Sequence, residues 1–309
     1  MSEKPVTIMG LGCWSFGGGF WGHQDEQDSV DALHAALDAG ITHYDTARGY
    51  GHGRSEAICG RVLANRRADV FVASKHSSRD ERSVMHDAVR DSLRALGFDY
   101  LDLFYIHWPR PGVDLRPSME ALMAAKDKGL IRAIGVSNFT VDHMRRALEV
   151  GPIDAHQLCY NLLWRRAERE IMPFCREHGI AVVTYSTLAL GILTGKFGKE
   201  PELGPSDSRR RTVFFERDVW PRVCDSVQAM QAVADEAQRP LAHLALQWAA
   251  AQPGITSVLA GARNAEQLRQ NVAAFDDPVD ATVLDHLTSI ADALRPHIPD
   301  VHNIFRNKV

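Results

Sequence analysis

Strand and helix signals alternate along this chain with a regularity that few folds accommodate, and glycine marks most of the changeovers. Asp28 is placed to cap a helix whose apolar face is Val30, Leu33 and Leu37, and Gly40 ends it before ITHYDTA. The same pattern returns. A helix from about Asp80 to Leu96 stops at Gly97 before YLDLFYIH, and another, with Pro117 in its first turn, stops at Gly129 before IRAIGVS. A shorter one with Pro173 stops at Gly179 before IAVVTYS. The last pair is a helix opened by Pro240, with Leu241, Leu244 and Trp248 on one face, followed after Pro253 and Gly254 by ITSVLAGA. GLGCWSF, VFVAS and AHQLCY bring the strand candidates to eight. Their near-continuous Val, Ile, Ala and Phe indicate burial on both faces, as in parallel sheets with crossover helices. Eight such repeats predict a closed α/β (β/α)8 TIM barrel. It opens with an amino-terminal β segment and carries a long loop after strand 7, from about Leu190 to Trp220, rich in Gly, Pro, Ser and Arg.

The 309 residues suit one barrel domain over 1–309. A net charge of -4 carries no basic excess of the kind nucleic acid requires. Five cysteines, Cys13, Cys59, Cys159, Cys175 and Cys224, lack CxxC spacing, which argues against a disulfide framework or a zinc site and fits a reduced cytoplasm. Neither HxxxH nor clustered carboxylates point to a metal. MSEKPVTIMG lacks the features of a secretory leader, and no apolar run approaches the roughly 18 residues a bilayer span needs. The expectation is a cytoplasmic protein without membrane attachment; nothing in the sequence assigns an oligomeric state.

In such a barrel the active site lies at the carboxyl ends of the strands. Asp45, Lys75, His107, Ser137, Gln157 and Tyr185 all fall there, and Tyr50 follows Asp45 closely in HYDTARGYGHGRSE. Taken singly, Asp45 reads as a turn residue and His107 as a core histidine. Lys75 resists such a reading, because an unpaired lysine after five largely apolar residues is expensive to bury. Together the four describe a proton donor. A phenol has a pKa of about 10, and a neighbouring ammonium lowers it; a carboxylate beside the ammonium holds that charge in place. Asp45 therefore supports Lys75, Lys75 tunes Tyr50, and His107 donates a hydrogen bond that orients a substrate oxygen. Trp14, within the first strand candidate, and Trp21, Trp108 and Trp164, in loops after strands one, four and six, read equally as plain packing and as an apolar wall around a small-molecule carbonyl substrate. His52 and His76 read as supporting groups, and Gly17 to Gly19 as the tight turn of the first loop.

DTARGYG, VFVASK, YIHWP, IGVSNF, HQLCYNLL, TYSTLALGILTGK and GARNAEQLRQN, in that order, resemble the aldo-keto reductase family over nearly the whole chain. The resemblance implies Tyr50 as general acid during reduction, Lys75 and Asp45 adjusting it, His107 positioning the carbonyl, and hydride from a nicotinamide cofactor. It further implies Ser137, Asn138 and Gln157 on the carboxamide, Tyr185 stacked on the ring, and Ser186, Leu188, Gly191 and Lys196 around the pyrophosphate. Gly261, which opens GARNAEQLRQN, is implied as a further cofactor-binding residue. Arg263, at the start of the last helix, matches the grip on the adenosine 2′-phosphate, which favours NADPH/NADP+ over NADH. Gln267 and Asn271 share one face toward the adenine. Gln270 stands where relatives often have Glu. Arg209, Arg210 and Arg211 read first as a solvated charge run. GHGRSE and YNLLWRRAE look most like bacterial and plant branches of the family acting on sugars, inositols, pyridoxal or methylglyoxal. Two alternatives stay open: an NADPH-binding redox-sensing protein like potassium-channel β-subunits, which have Asn in place of His107, and a Schiff-base enzyme built on Lys75.

Overall fold

The computed structural model describes residues 4–204 and 207–308. Eight strands, β1 (Met9–Gly12), β2 (His43–Asp45), β3 (Phe71–His76), β4 (Leu101–Ile106), β5 (Ile131–Ser137), β6 (Ala155–Cys159), β7 (Ala181–Tyr185) and β8 (Ile255–Gly261), pair in sequence order. All pairings are parallel, and β8 closes on β1 from Met9 opposite Val258 to Gly12 opposite Gly261. One helix follows each of the first six strands: α1 (Glu26–Asp38), α2 (Arg54–Leu63), α3 (Arg82–Leu96), α4 (Arg116–Asp127), α5 (Val141–Leu148) and α6 (Ile171–Glu177). Two cross from β7 to β8, α7 (Trp220–Glu236) and α8 (Leu241–Ala250), and two follow β8, α9 (Ala265–Ala273) and α10 (Ala281–Leu294).

Several expected boundaries move, for local reasons. The cap of α1 is Asp25, whose carboxylate accepts from the backbone of Gln27 at 2.7 Å and of Asp28 at 3.3 Å, so Asp28 is itself a capped residue. GLGCWSF leaves the sheet at Gly12, and Cys13–Gly17 winds into a 3-10 turn; the amino-terminal β segment is β1 itself. Arg263 precedes α9, which is not the last helix, because α10 packs on α7 behind it. The expected loop after β7 contains short 3-10 turns at Ala189–Thr194, Ser208–Arg211 and Val213–Phe215, and Ser206 and Pro205 within it lie outside the described residues. The anticipated stops at Gly97, Gly129 and Gly179 all adopt left-handed φ, a conformation that favours glycine.

Strand alternation makes two apolar cores. Outward residues such as Tyr44, Val72, Phe104 and Val136 pack under the helices, whereas Phe71, Ala73, Leu103, Tyr105, Ala133, Ala155 and Ala181 fill the barrel. Small residues inside make room for large ones: a Cβ at Gly135 would run into the ring of Tyr105 on the adjacent strand. At the amino-terminal end of the strands, the fully buried Asp102 accepts the backbone N–H of Val72 at 2.9 Å and pairs with Arg67 at 2.7 Å, Lys4 at 3.4 Å and Arg132 at 3.8 Å. Those three cations gather over the ring of Tyr100. The opposite end of the strands carries the site. No helix among the described residues is long and apolar enough to cross a membrane.

Candidate active site

Lys75, on β3, is 1% exposed, and its ammonium donates to Asp45 Oδ1 at the end of β2 and to the carbonyl of Thr46 at 2.8 Å. Gln157 on β6 donates from Nε2 to Asp45 Oδ2 at 2.8 Å, so both carboxylate oxygens are engaged. Three strand ends thereby satisfy a buried charge pair that no apolar surroundings could hold. Tyr50 stands over it, its ring centroid 5.1 Å from the Lys75 ammonium. His107, just beyond β4, presents its ring edge-on to Tyr50 at 6.0 Å, and its backbone N–H donates to the carbonyl of His76 at 2.8 Å. The four residues expected to meet do meet.

The placement of Tyr50 depends on two glycines that lock loops together. A Cβ at Gly17 would lie 2.5 Å from the Tyr50 carbonyl carbon, and one at Gly51 would lie 2.5 Å from the Gly17 carbonyl oxygen. Gly17 is needed for this close approach, whereas Gly18 and Gly19 have positive φ, within the tight turn expected of the first loop.

The electrostatics differ from the expectation that Lys75 acidifies Tyr50. Burial, then the Asp45 carboxylate, then Cys13, hold the phenol well above its ordinary range. Desolvation of the buried ring is the largest cause, and the Asp45 carboxylate reinforces it by disfavouring a second negative charge nearby. The phenol is therefore held protonated. Burial, then Lys75, then His76, push His107 well below the ordinary imidazole value, so its ring is neutral and one nitrogen is a donor.

Around this centre the other strand ends supply polar groups. Asn138, just past β5 with φ 61°, donates from Nδ2 to the carbonyl of His107 at 3.1 Å and to Ser137 Oγ at 3.0 Å. Its Oδ1 accepts from the Tyr185 hydroxyl at 2.7 Å. The Asn138 amide protons are thus spent within the protein, leaving the Ser137 hydroxyl and the remaining valences of Gln157 for a ligand. After β7, Ser186, Ala189, Leu190 and Gly191 have positive φ in a tight turn whose Ala189 and Gly191 N–H groups donate to the Ser186 and Leu188 carbonyls at 2.7 and 2.9 Å. A Cβ at Gly191 would approach Lys196 Nζ at 3.1 Å, so that ammonium sits against the turn that Leu188 precedes. Burial, then Arg209, lower the Lys196 pKa, with Arg263 also acting against its charge. Arg209 and Arg263 both act against the Lys196 charge while Asp207 partly offsets them, a surplus of positive charge that suits an anionic ligand. Arg209 is also held by Asp207 at 2.9 Å, and Arg210 donates to the Leu203 carbonyl at 2.9 Å, so neither is merely solvated.

At α9, Asn264 caps the helix through Gln267 N–H at 3.0 Å, and Gln267 Oε1 accepts the backbone N–H of Arg263 at 3.0 Å. Asn271 is buried and donates to the Gly261 carbonyl at 3.1 Å, and Gln270 donates to Glu266 at 3.0 Å. The Asn271 amide is therefore engaged in holding the end of β8.

Above Tyr50 the wall is aromatic. Trp14 stacks on Tyr50 at 6.1 Å and meets Phe20 at 4.6 Å, Trp21 at 5.3 Å and Phe305 at 6.0 Å; Trp108 meets Phe305 at 6.5 Å. Phe20 and Phe305 were not foreseen. Phe20 lies within FGGGFW, where no periodic pattern marks it, and Phe305 reaches the site only because the carboxyl-terminal segment folds back: His302 shares a hydrogen bond with the Asn138 carbonyl at 2.9 Å, and Val213 N–H donates to the Ile304 carbonyl at 3.0 Å. Trp164 does not join this wall. It is buried against Phe214 and exchanges backbone hydrogen bonds with Asn161. His76 bonds the carbonyl of Ser77 at 3.0 Å, and His52 is a loop residue with φ 54°.

Comparison with known proteins identifies the family. The model of the Aldo/keto reductase family matches residues 8–292. An Escherichia coli NADH-specific methylglyoxal reductase is 35% identical over 311 residues, covering 92% of this chain and 95% of that one. Glycerol dehydrogenase from Gluconobacter oxydans superposes with a TM-score of 0.86 at 30% identity, covering 97% of this chain and 95% of that chain. An aldo/keto reductase from Klebsiella pneumoniae, solved with NADP and acetate, superposes with a TM-score of 0.74 at 29% identity over 97% and 94%. A closed parallel barrel whose strand ends gather Asp45, Lys75 and His107 under Tyr50, matched along almost its whole length, places this chain in the aldo/keto reductase family.

Proposed function

We propose that this oxidoreductase reversibly reduces an aldehyde or ketone to its alcohol at the expense of NADPH, with Tyr50 as the proton donor. The observation that carries the reading is the buried Lys75–Asp45 pair beneath Tyr50, with neutral His107 at the edge of the same ring. When bound, the reduced nicotinamide supplies the hydride. The protein's residues do the rest. His107 donates a hydrogen bond to the carbonyl oxygen, polarising it and fixing its distance from the phenol. Tyr50, held protonated by burial, releases its proton as negative charge develops on that oxygen. The Lys75 ammonium stabilises the phenolate that remains, and Asp45, Thr46 and Gln157 keep the ammonium in place. The pair therefore acts on the charge created during the step more than on the resting phenol, which is where electrostatic preorganisation lowers a barrier.

Ser137 and Gln157 would hold the carboxamide of the cofactor, the Tyr185 ring would stack on the nicotinamide, and Ser186, Leu188, Gly191 and Lys196 would meet the pyrophosphate. The local cation cluster fits such a ligand. Gly261, Arg263 and Gln267 would face the adenosine, with Asn271 bracing them from beneath. One relative is NADH-specific; Arg263 at the amino end of α9 is the observation favouring the 2′-phosphorylated form here. The aromatic wall of Trp14, Phe20, Trp21, Trp108 and Phe305 would exclude water from the substrate. Mixing the purified protein with NADPH and a panel of aldehydes and ketones tests the reading. Loss of reduced-nicotinamide absorbance is expected; its absence with every carbonyl would favour a cofactor-binding protein without turnover.

A further inference from the structure

Gln24 lies in the loop between β1 and α1, is 2% exposed, and encloses a residue 239 positions away. Its Nε2 donates to the Arg263 carbonyl at 2.7 Å, to Ser29 Oγ at 3.1 Å and to the Asp25 carbonyl at 3.2 Å, while its Oε1 accepts from Arg263 Nε at 2.9 Å. Arg263 Nη2 donates to the His23 carbonyl, and Arg54 Nη2 donates to the Gln24 carbonyl at 3.0 Å. One uncharged side chain thus holds both the backbone and the guanidinium of Arg263. A backbone bond alone would tie the loop to α9; the second contact adds control of the direction in which the guanidinium faces.

A guanidinium offers a side-on edge, Nε with Nη2, and an end-on edge, Nη1 with Nη2, each matching two oxygens of a phosphate. Here Gln24 Oε1 and the His23 carbonyl take the side-on edge, which leaves the end-on edge for a ligand. Held in this way, the side chain has little rotamer freedom left to lose on binding. We propose that Gln24 is the positioning residue behind this enzyme's selection of the 2′-phosphorylated cofactor, acting by presetting Arg263 to grip the phosphate end-on. The inference rests on the NADPH reading given above.

Calorimetric titration with 2′,5′-ADP and with 5′-AMP separates the two. If the wild-type protein binds both equally, the NADPH reading fails and this inference with it. If the wild type prefers 2′,5′-ADP, Gln24→Met, which keeps the volume and removes the amide, is expected to weaken 2′,5′-ADP about tenfold and leave 5′-AMP within about twofold. In an Arg263→Ala background the same change is expected to add nothing. Equal weakening of both ligands, or additive losses in the double variant, would show Gln24 to be a structural tie and overturn the proposal while leaving the cofactor reading intact. Gln24→Glu preserves shape and the acceptor on Nε but sets a carboxylate against the guanidinium. It is expected to weaken 2′,5′-ADP less than Gln24→Met does and to spare 5′-AMP; a loss equal to or greater than that of Gln24→Met would show that holding Nε is not what matters and overturn the proposal. Melting curves of both variants report whether the fold is retained.

Discussion

The two ends of the barrel each bury a carboxylate among cations, and they use it differently. Asp102, at the start of β4, is surrounded by Arg67, Lys4 and Arg132 from segments that meet only in the folded chain, and it also accepts a backbone N–H. Asp45, at the end of β2, contacts one lysine and one amide, and a phenol and an imidazole stand over the pair. The first arrangement ties segments together and faces no reactive group. The second leaves a cation next to a proton donor inside an aromatic wall. Similar chemistry serves stability at the closed end of a barrel and reactivity at its mouth, because only the mouth is built from loops free to carry other groups.

The largest test of this contrast is Tyr50→Phe, which should lower carbonyl reduction by about 10²–10⁴-fold while leaving NADPH affinity nearly unchanged. A strong loss of cofactor binding in steady-state and binding measurements would place Tyr50 in the wrong role. Asp102→Asn should show the opposite behaviour: a loss of about 3 kcal/mol in denaturant unfolding, from cations left without their buried partner, with kcat preserved. A collapse of kcat comparable to that of Lys75→Met would erase the distinction between the two ends.

His43 probes the interior between them. It is fully buried; its Nδ1 lies 2.9 Å from Ser257 Oγ, and because that hydroxyl donates to the Thr7 carbonyl, Nδ1 carries the proton. Desolvation lowers its pKa to about 4, with Asp45 and Asp102 opposing and Lys75 reinforcing the shift. The unfolded chain, with a pKa of about 6.5, takes up a proton first as pH falls, so this residue lowers stability progressively between about pH 6.5 and pH 4. His43→Gln should remove that part of the pH dependence, on the order of 3 kcal/mol at pH 4, in melts recorded across the range. An unchanged slope would mean the ring is not held neutral. The smallest effect is expected for Arg263→Ala, which should weaken NADPH by about a hundredfold and NADH hardly at all; equal losses in fluorescence titrations would remove the 2′-phosphate assignment.

Much of the site was legible because burial makes certain residues conspicuous. A lysine ending VFVASKH needs a carboxylate, and Asp45 ends the preceding strand. Trp164 shows the limit: a loop tryptophan looks the same whether it faces the mouth or packs on Phe214. Phe305 shows another, since no local pattern reveals that a carboxyl-terminal segment returns to the site. The direction of the Tyr50 shift was not legible because it is set mainly by how completely the ring is buried, and then by the Asp45 carboxylate, and depth of burial is a property of the packed barrel mouth. Gln24 carried no signal at all, being an uncharged residue whose partner is remote in the chain.

By itself the sequence determined the order of strands and helices, the closed parallel barrel they build, and the residue types waiting at the strand ends. These follow from periodicity, glycine punctuation and the cost of burying charge, all of which act over a few neighbouring residues. Tertiary structure alone decided which aromatic rings form the wall, how Asn138 spends its amide, and which groups clasp Arg263. Those outcomes depend on distances between segments far apart in the chain, and hydrogen bonds and ring contacts exist only once packing has brought such segments within a few ångströms.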